Sequence, residues 1–360
     1  MGTRVKHCGL TNRLLATVTR MSVHQIKKPY LLLIGDTRNP RYAKTAFGLR
    51  DWTPEDCIGQ LRFDDKAVDL GLPHRTPREA AAAGAKTLVV GIAPLGGQLP
   101  ESWHPTLIEA LQAGLDLAAG LHQRLRDIPE IAACAAKLGR QIHDVRHSDA
   151  KFPVGTGQRR PGRRLLTVGT DCALGKKYTA LAIAKAMIAR GHSCDFRATG
   201  QTGILISGGG IAVDAVVADF IAGAAEALSP ANSPEHWDIV EGQGSLFHPA
   251  YAGVTLGLLH GSQPDALVLC HDPTRESLNG LPHVPVKSLE EALTAYLAAA
   301  RLTNPNVRCV GVSLNTSEMN AVDADKILNT TSRSMGLPCV DPIRTGVDAI
   351  VASLEALDAR

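Results

Sequence analysis

The sequence of 360 residues lacks the features that mark several large protein classes. No two of its eight cysteines form a CxxC pair, so neither a zinc site nor a disulfide framework is expected, and a reducing cytoplasm is the predicted location. No run of about eighteen apolar residues is present, so no membrane-spanning helix and no membrane partner are predicted. The net charge is only +3 and no basic stripe alternates with aromatic residues, which argues against nucleic acid as a partner.

The composition instead suits a globular protein of two domains. The chain is 44% hydrophobic and 20% charged, and its length is sufficient for two sizeable cores. Lysine and arginine recur from the start of the chain, whereas the first acidic residue is Asp36. We therefore predict a poorly ordered basic extension at residues 1–28. A segment rich in glycine, proline and arginine, residues 147–164, separates the two predicted domains, 29–155 and 156–360.

The first half alternates apolar runs with helical patterns. Residues 29–36 and 87–90 predict buried parallel strands, and residues 104–122 have the spacing of a helix. Residues 128–146 predict a further helix that ends in a short strand. This alternation predicts a small Rossmann-like domain, with a parallel sheet between two layers of helices. No GxGxxG pattern follows the first strand, so dinucleotide binding in this half has little support.

The same alternation restarts after residue 164 and predicts a second α/β domain. Its strands are predicted at residues 165–169, around 194–199, and at 237–241, 266–270 and 308–314. Helices are predicted between these strands and at residues 287–301, 321–335 and 346–358.

The first predicted strand of the second half leads into a glycine-rich loop, Gly169-Thr170-Asp171-Cys172-Ala173-Leu174-Gly175-Lys176. Backbone N–H groups of such a loop and of the following helix bind anions, and the lysine adds a point charge. Five residues separate Gly169 from Gly175, which is one more than the usual GxxxxG spacing. The loop is nevertheless similar to that of dethiobiotin synthetase and its relatives. We therefore predict a P-loop NTPase-like domain that binds a phosphate-bearing ligand.

The residue after Lys176 bears on the chemistry of this loop. Phosphoryl-transfer loops place a Ser or Thr there, and its hydroxyl is a ligand of magnesium. This chain has Lys177, which does not coordinate magnesium while it is protonated and whose charge opposes a nearby cation. The loop is therefore predicted to hold a phosphorylated cofactor without a metal, and Lys177 is predicted to contact its phosphates. Coenzyme A, with a pyrophosphate and a 3′-phosphate, suits such a loop.

Two further segments are predicted to lie near the loop. Gln201 and Thr202 follow the next strand, in what is predicted to be a polar loop that donates hydrogen bonds to the phosphates. Glu241 ends the strand at 237–241, where an acid positions a metal or acts as a base. The simpler explanations are an ordinary turn and a strand-end carboxylate. Because Asp171 and Glu241 are also possible magnesium ligands, an ATP- and Mg-dependent ligase or kinase acting on a small carboxylate stays open, as does a non-catalytic nucleotide-binding regulator.

Several stretches in combination resemble one bacterial family. They are GTDCALGKKYTAL, RATGQTGILISGGG and EGQGSL in the second half, and AKTAFGLRDW, GQLR and ALQAGLDLAAGLH in the first. That two-domain family was long catalogued only as a domain of unknown function and includes the D-glutamate N-acetyltransferases. The resemblance covers most of the chain from Pro29 onward. It implies a Rossmann-like domain, a P-loop domain, and transfer of an acetyl group from acetyl-CoA to the amino group of D-glutamate, in D-amino-acid catabolism.

Under this resemblance, the two carboxylates of D-glutamate call for arginine or lysine. The candidates are Arg38, Lys44 and Arg62, each of which is individually explained more simply as a solvated surface charge. Loops at the carboxyl ends of parallel strands bind ligands, which favours Arg38 and Lys44.

Acetyl transfer to an ammonium group needs a base and donors for an oxyanion. Glu241 and His122 are the candidate bases, with His122 predicted to end an apolar helix, where a capping or core role is the simpler explanation. Ser245 is the candidate donor to the oxyanion. Cys172 is explained more simply as a small loop residue than as an acyl carrier. The predicted enzyme is a cytoplasmic homo-oligomer.

Overall fold

The computed structural model describes residues 26–147 and 150–358 of the chain. Most of the predicted extension, residues 1–28, therefore lies outside the described residues. Ile26, at the start of the described chain, is buried against the first domain. Two separate parallel sheets confirm the predicted α/β class, with a Rossmann-like and a P-loop domain.

The first domain is a parallel sheet with helices on both faces. Its strands are β1 (Tyr30–Gly35), β2 (Cys57–Arg62), β3 (Thr87–Val90), β4 (Asp116–Ala119) and β5 (Ile142–Asp144), in the order β2-β1-β3-β4-β5. Its helices are α1 (Lys44–Trp52), α2 (Pro77–Ala82), α3 (His104–Gln112) and α4 (Pro129–Leu138). The apolar run of β1 is buried along its whole length, with Leu31 and Leu33 in one core and Leu32 and Ile34 in another.

Local signals fix the ends of these helices. Thr76 and Glu79 form a reciprocal capping box at the start of α2, and Pro77 takes the first helical position. Gly139 ends α4 with a φ of 63°, in the left-handed region that favours glycine. Such caps satisfy backbone groups that the helix itself leaves without partners.

The helix predicted over residues 104–122 is wrong in its second part. Helix α3 ends at Gln112, the chain turns at Gly114 with a φ of 93°, and residues 116–119 form the buried strand β4. A short apolar run carries no period that distinguishes a buried strand from a buried helix, so the helical spacing was misleading. As a result, His122 lies in the loop after β4 and does not end a helix.

The second domain is a larger parallel sheet. Its strands are β6 (Arg163–Gly169), β7 (Cys194–Arg197), β8 (Trp237–Val240), β9 (Ala266–His271), β12 (Arg308–Leu314) and β13 (Cys339–Val340), in the order β13-β12-β9-β6-β8-β7. A hairpin of β10 (Ser277–Leu278) and β11 (Leu281–Pro285) lies outside this sheet. Its helices are α5 (Lys176–Ala189), α6 (Gln201–Ser207), α7 (Ile221–Leu228), α8 (Ala252–Ser262), α9 (Leu289–Arg301), α10 (Ala321–Met335) and α11 (Asp348–Asp358). The strands and helices predicted for this half are confirmed, apart from the polar loop at Gln201, which is the start of α6.

One apolar cluster extends across the boundary between the two domains. Helix α1 packs on α6, and Leu32, Ala46 and Leu49 of the first domain join Ile204 and Leu205 of the second in a single buried cluster. This packing brings the carboxyl ends of strands from both sheets to one cleft, where ligands of parallel α/β sheets bind. Within the described ranges, no helix is both long enough and apolar enough to cross a membrane.

Candidate active site

The predicted phosphate loop lies between β6 and α5. Strand β6 ends at Gly169, and α5 begins at Lys176 directly after Gly175, whose φ of 109° requires glycine. The N–H groups in the first turn of a helix have no partner within the helix, so they are free to donate to an anion. Strand, loop and helix therefore have the arrangement that binds a phosphate group.

Lys176 lies across the floor of this loop and is almost completely buried. Its Nζ donates to the carbonyl oxygen of Asp171 at 2.7 Å, and burial lowers the pKa of this ammonium group. The backbone at Gly242 packs closely against β6 and Lys176. A Cβ at this position would lie 1.7 Å from the carbonyl oxygen of Thr167 and 3.0 Å from Cδ of Lys176. Lys176 thus supplies positive charge at the base of the loop.

Two residues outside the motif hold the loop in shape, and both were missed from the sequence. Arg275 Nη1 donates to the Asp171 carboxylate at 2.8 Å and to the carbonyl oxygen of Cys172 at 2.6 Å. The backbone N–H of Asn279 donates to the same carboxylate oxygen at 2.7 Å. Both residues follow β9, which pairs directly with β6, the strand that leads into the loop. Their position beyond the carboxyl end of a predicted strand was the sequence signal that could have identified them.

These contacts leave the loop poorly suited to a magnesium ion. The ligand atoms of Asp171, Cys172 and His248 lie within 4.8 Å of one another, but each group is committed elsewhere. Both carboxylate oxygens of Asp171 accept hydrogen bonds, and the ring of His248 makes hydrogen bonds through both nitrogens. Burial raises the pKa of the Cys172 thiol to about 11, so this thiol stays protonated near neutral pH and is not a nucleophile.

Ser245 supports the loop from within the domain core. Its hydroxyl is fully buried and donates to the carbonyl oxygen of Gly169 at 3.0 Å. The hydroxyl of Tyr296, which the sequence analysis missed, donates to the same oxygen at 2.7 Å. A buried hydroxyl that already donates to the backbone is not free to stabilise an oxyanion, so the structure gives Ser245 a supporting position and not the predicted one.

The side chain of Lys177 leaves the phosphate loop and enters the cleft between the domains. We define this interdomain cleft by five residues: Lys44 and Gly48 of the first domain, and Lys177, Gln201 and Glu241 of the second. A Cβ on Gly48 would lie 3.0 Å from Nζ of Lys177 and 2.6 Å from Cγ2 of Thr202. This location differs from the predicted one, in which Lys177 contacts the phosphates.

Lys177 is half-buried, and no described residue forms a hydrogen bond or an ion pair with its ammonium group. Burial lowers its pKa to about 8; the charge of Glu241 opposes this change, and the nearby charge of Lys44 adds to it. A desolvated cation without an acceptor is costly to the free protein, because hydrogen bonds normally compensate for lost hydration. Its Nζ lies 5.1 Å from the centroid of the Tyr178 ring, but the described residues offer this cation no hydrogen-bond acceptor.

Glu241 lies at the carboxyl end of β8, beside this cation. Its Oε2 accepts hydrogen bonds from the backbone N–H groups of Thr199 at 2.9 Å and Gly200 at 3.1 Å. Burial raises the pKa of the carboxyl group, while the charge of Lys177 and the two N–H donors oppose this rise. A Cβ on Gly203 would lie only 2.3 Å from Oε2, so the glycine gives the carboxylate its space. Glu241 is thus a buried, oriented carboxylate with the chemistry of a general base.

Gln201 and Thr202 open α6 and contact the first domain. The Oε1 of Gln201 is buried without a hydrogen-bond partner in the part of the chain that the structure describes, and it lies 2.1 Å from where a Cβ on Gly120 would be. Thr202 Oγ1 donates to Oγ1 of Thr45 at 3.4 Å. Both residues therefore belong to the interdomain cleft, and Gln201 brings an unused acceptor to it.

Lys44 and His122 lie together at one side of this cleft. Both are exposed, and both are in electrostatic contact with Arg146 and Asp214, which form an ion pair between the domains. The ring of His122 packs against Gly97, and partial desolvation together with the charge of Arg146 lowers its pKa. The lowered pKa favours the neutral imidazole, which is the form that a base requires.

The other two predicted substrate cations are paired within the first domain. Arg38 forms an exposed ion pair with Asp64, with 2.9 Å between Nη2 and Oδ2. Arg62 pairs with Asp69 at 3.4 Å and donates to the carbonyl oxygen of Ala67 at 3.3 Å. Of the three predicted cations, only Lys44 lies in the cleft.

Two family models match the chain. Residues 153–351 match the model described as "Domain of unknown function (DUF1611_C) P-loop domain". Residues 62–148 match the model described as "Domain of unknown function (DUF1611_N) Rossmann-like domain".

Individual relatives agree with these matches over nearly the whole chain. A protein of Tritonibacter scottomollicae named D-glutamate N-acetyltransferase is 50% identical over 332 residues, which cover 92% of this chain and 100% of the relative. A protein of the same name from a Pseudoalteromonas species is 50% identical over 330 residues, 92% of this chain and 99% of the relative. The crystal structure of a DUF1611 family protein from Anabaena variabilis is 34% identical with a TM-score of 0.81, and the match covers 92% of this chain and all of that one.

Proposed function

This chain belongs to the DUF1611 family, and on that premise we propose that it transfers the acetyl group of acetyl-CoA to the amino group of D-glutamate. One observation carries the proposal: relatives named D-glutamate N-acetyltransferase are 50% identical to the chain and align over essentially their full length. The phosphate loop and the interdomain cleft supply chemistry that suits the two substrates.

The phosphate loop suits the coenzyme A part of the donor. The N–H groups at the start of α5 and the buried ammonium of Lys176 favour phosphate oxygens. Because Asp171 is occupied by Arg275 and Asn279, the loop offers this ligand positive charge without a metal.

The interdomain cleft suits an amino acid with two carboxylates. It contains two ammonium groups without hydrogen-bond partners among the described residues, those of Lys44 and Lys177. It also contains acceptors for a substrate ammonium group, the buried Oε1 of Gln201 and the carboxylate of Glu241.

We assign the role of base to Glu241. The amino group of the substrate must lose a proton before it attacks the thioester, and a carboxylate whose pKa is raised by burial is a stronger base than an exposed one. The two backbone N–H groups that hold Oε2 keep the carboxylate oriented toward the cleft. His122, whose lowered pKa favours the neutral imidazole, is the second candidate for this role.

The test is an incubation of the purified protein with D-glutamate and either acetyl-CoA or Mg-ATP. We expect free thiol to appear only with both acetyl-CoA and D-glutamate, together with N-acetylglutamate detected by mass spectrometry. L-glutamate in parallel reactions measures stereospecificity. Release of inorganic phosphate from ATP without thiol release would replace the proposal with a ligase or kinase, and neither product would favour a nucleotide-binding regulator.

We also propose that the enzyme is cytoplasmic and forms a homo-oligomer. The described cysteines are all free, which supports a reducing compartment. Several large apolar side chains of the second domain are exposed and support association between copies: Val217, Phe220, Tyr251 and Leu256.

A further inference from the structure

Three observations in the interdomain cleft are not explained by the fold. The half-buried ammonium of Lys177 faces the ring of Tyr178, 5.1 Å from its centroid, but has no hydrogen-bond acceptor among the described residues. The buried Oε1 of Gln201 has no hydrogen-bond donor within the same residues. Lys177 also stands where a phosphoryl-transfer loop has its magnesium-binding hydroxyl, yet its side chain reaches α1 of the other domain.

Within the described part of this cleft, a cation without a hydrogen-bond acceptor and an acceptor without a donor match the two charges of an amino acid. Polar groups that a folded protein leaves buried without partners are destabilising, and a ligand that pairs with them recovers that free energy on binding. The ammonium of Lys177 suits a carboxylate, and Oε1 of Gln201 suits an amino group.

We propose that Lys177 binds the α-carboxylate of the amino-acid substrate and that Oε1 of Gln201 accepts a hydrogen bond from its amino group. Lys44 then binds the side-chain carboxylate. This inference rests on the proposed function, since it assigns specificity-determining residues to that reaction. The helix that begins at the phosphate loop thereby contributes directly to recognition of the second substrate.

The neighbours of the two lysines decide which carboxylate each one binds. In an α-amino acid the α-carboxylate is one carbon away from the amino group, so its cation must be close to the group that accepts the amine. Nζ of Lys177 and Cγ2 of Thr202, the residue after Gln201, both lie within 3.0 Å of where a Cβ on Gly48 would be, and Glu241 is the charge that most favours this ammonium. Lys44 is exposed at the side of the cleft, near the Arg146–Asp214 ion pair, although its charge also reaches Lys177. Lys177 therefore takes the nearer carboxylate and Lys44 the more distant one.

Two amides of the substrate test this assignment. D-isoglutamine lacks the α-carboxylate, and D-glutamine lacks the side-chain carboxylate. We expect Lys177→Met to raise KM for D-glutamate by about 10- to 100-fold, as for loss of a hydrogen bond to a charged group, and to leave KM for D-isoglutamine within about twofold. Lys177→Met should still discriminate against D-glutamine. Lys44→Met should instead leave KM for D-glutamine nearly unchanged and should still discriminate against D-isoglutamine.

Further readouts separate recognition from folding. Lys177→Arg keeps a cation and should recover most of the affinity for D-glutamate, and Gln201→Leu should raise KM for both D-glutamate and its amides. KM for acetyl-CoA should stay within about twofold in Lys177→Met, as expected for a residue that does not contact the donor. A rise confined to KM for acetyl-CoA, or unchanged discrimination between D-glutamate and D-isoglutamine, would overturn the proposal.

Calorimetric binding of D-glutamate, measured without acetyl-CoA, distinguishes this inference from the proposed function. If the wild-type protein binds D-glutamate, Lys177→Met does not, and no thiol is ever released, the subsite stands and the acetyl-transfer proposal fails. If the wild-type protein releases thiol and Lys177→Met binds D-glutamate with unchanged Kd, the subsite fails alone. No binding and no thiol release would refute both.

Discussion

Replacing Lys177 with methionine should stabilise the protein when no ligand is bound. The side chain keeps most of its length and its apolar character but loses a charge that the folded protein desolvates beside the ring of Tyr178, with no hydrogen-bond acceptor among the described residues. Folding lowers the pKa of Lys177 from its ordinary value of 10.5 to about 8. At about 1.4 kcal/mol for each pKa unit, this difference corresponds to about 3 kcal/mol of unfavourable free energy in the folded state. Because part of the side chain stays in water, solvent screening reduces the expected gain to about 1–2 kcal/mol.

The effect has a characteristic dependence on pH. Below about pH 8, Lys177 is protonated in both the folded and the unfolded state, so the full destabilisation is present. Between about pH 8 and 10.5 the unfolded chain keeps a proton that the folded protein has released. The free energy of unfolding of the wild type therefore rises with pH in this range, relative to that of the variant. The difference between Lys177→Met and the wild type should therefore be largest at pH 7 and shrink steadily toward pH 10.

Urea unfolding of both proteins at several pH values between 7 and 10 measures this difference. Lys185→Met is the matched control, because Lys185 lies on the exposed face of the same helix, and surface substitutions usually change stability by less than about 0.5 kcal/mol. A variant that is less stable than the wild type at pH 7 would refute the reasoning. So would a stability difference that stays constant across the pH range.

Three further variants test the loop and the base. Lys176→Ala should raise KM for acetyl-CoA by about 10- to 100-fold in steady-state thiol assays while leaving KM for D-glutamate nearly unchanged, because the lost ammonium lies in the phosphate loop; an unchanged KM for acetyl-CoA would mean that the loop does not hold this ligand. Glu241→Gln should lower kcat by about 10²- to 10⁴-fold and remove the acidic limb of the pH–rate profile, and a limb that persists would transfer the role of base elsewhere. Arg275→Ala leaves the buried Asp171 carboxylate without its cation and should lower the free energy of unfolding by about 3–5 kcal/mol in urea titrations. The exposed pair of Arg38 supplies its control, because Arg38→Ala should cost less than about 1 kcal/mol, and equal losses in the two variants would contradict the structural role of Arg275.

The sequence was sufficient wherever the signal is contiguous in the chain. The phosphate loop carries its whole pattern within eight residues, from Gly169 to Lys176, between an apolar strand and a helix. Buried parallel strands such as β6 and β9 are uninterrupted apolar runs, so their positions were predicted closely. An uninterrupted buried run also caused the wrong helix prediction at residues 116–119, since four buried residues fit a helix as well as a strand.

The missing parts of the site depend on contacts between distant segments. Arg275 reaches Asp171 across 104 positions of sequence, and only the pairing of β9 with β6 brings the two together. The sequence also gives no indication of how the domains dock, and this docking determines what Lys177 and Gln201 face. Arg38 and Arg62 were plausible by residue type, but each forms an ion pair with an acidic residue of its own domain. The sequence does not show whether an arginine is paired in this way or is free to bind a ligand.

The two lysines at the start of α5 extend to different parts of the structure. Successive residues of a helix point about 100° apart, and the long side chains of Lys176 and Lys177 leave the helix in different directions. Lys176 lies across the loop floor, and Lys177 reaches Gly48 of the first domain. A serine or threonine at position 177 would be too short for that contact and would suit a metal at the loop instead. Lys177 thus argues against a magnesium ion at the loop and also brings a cation into the interdomain cleft, which is the premise of the proposed amino-acid subsite.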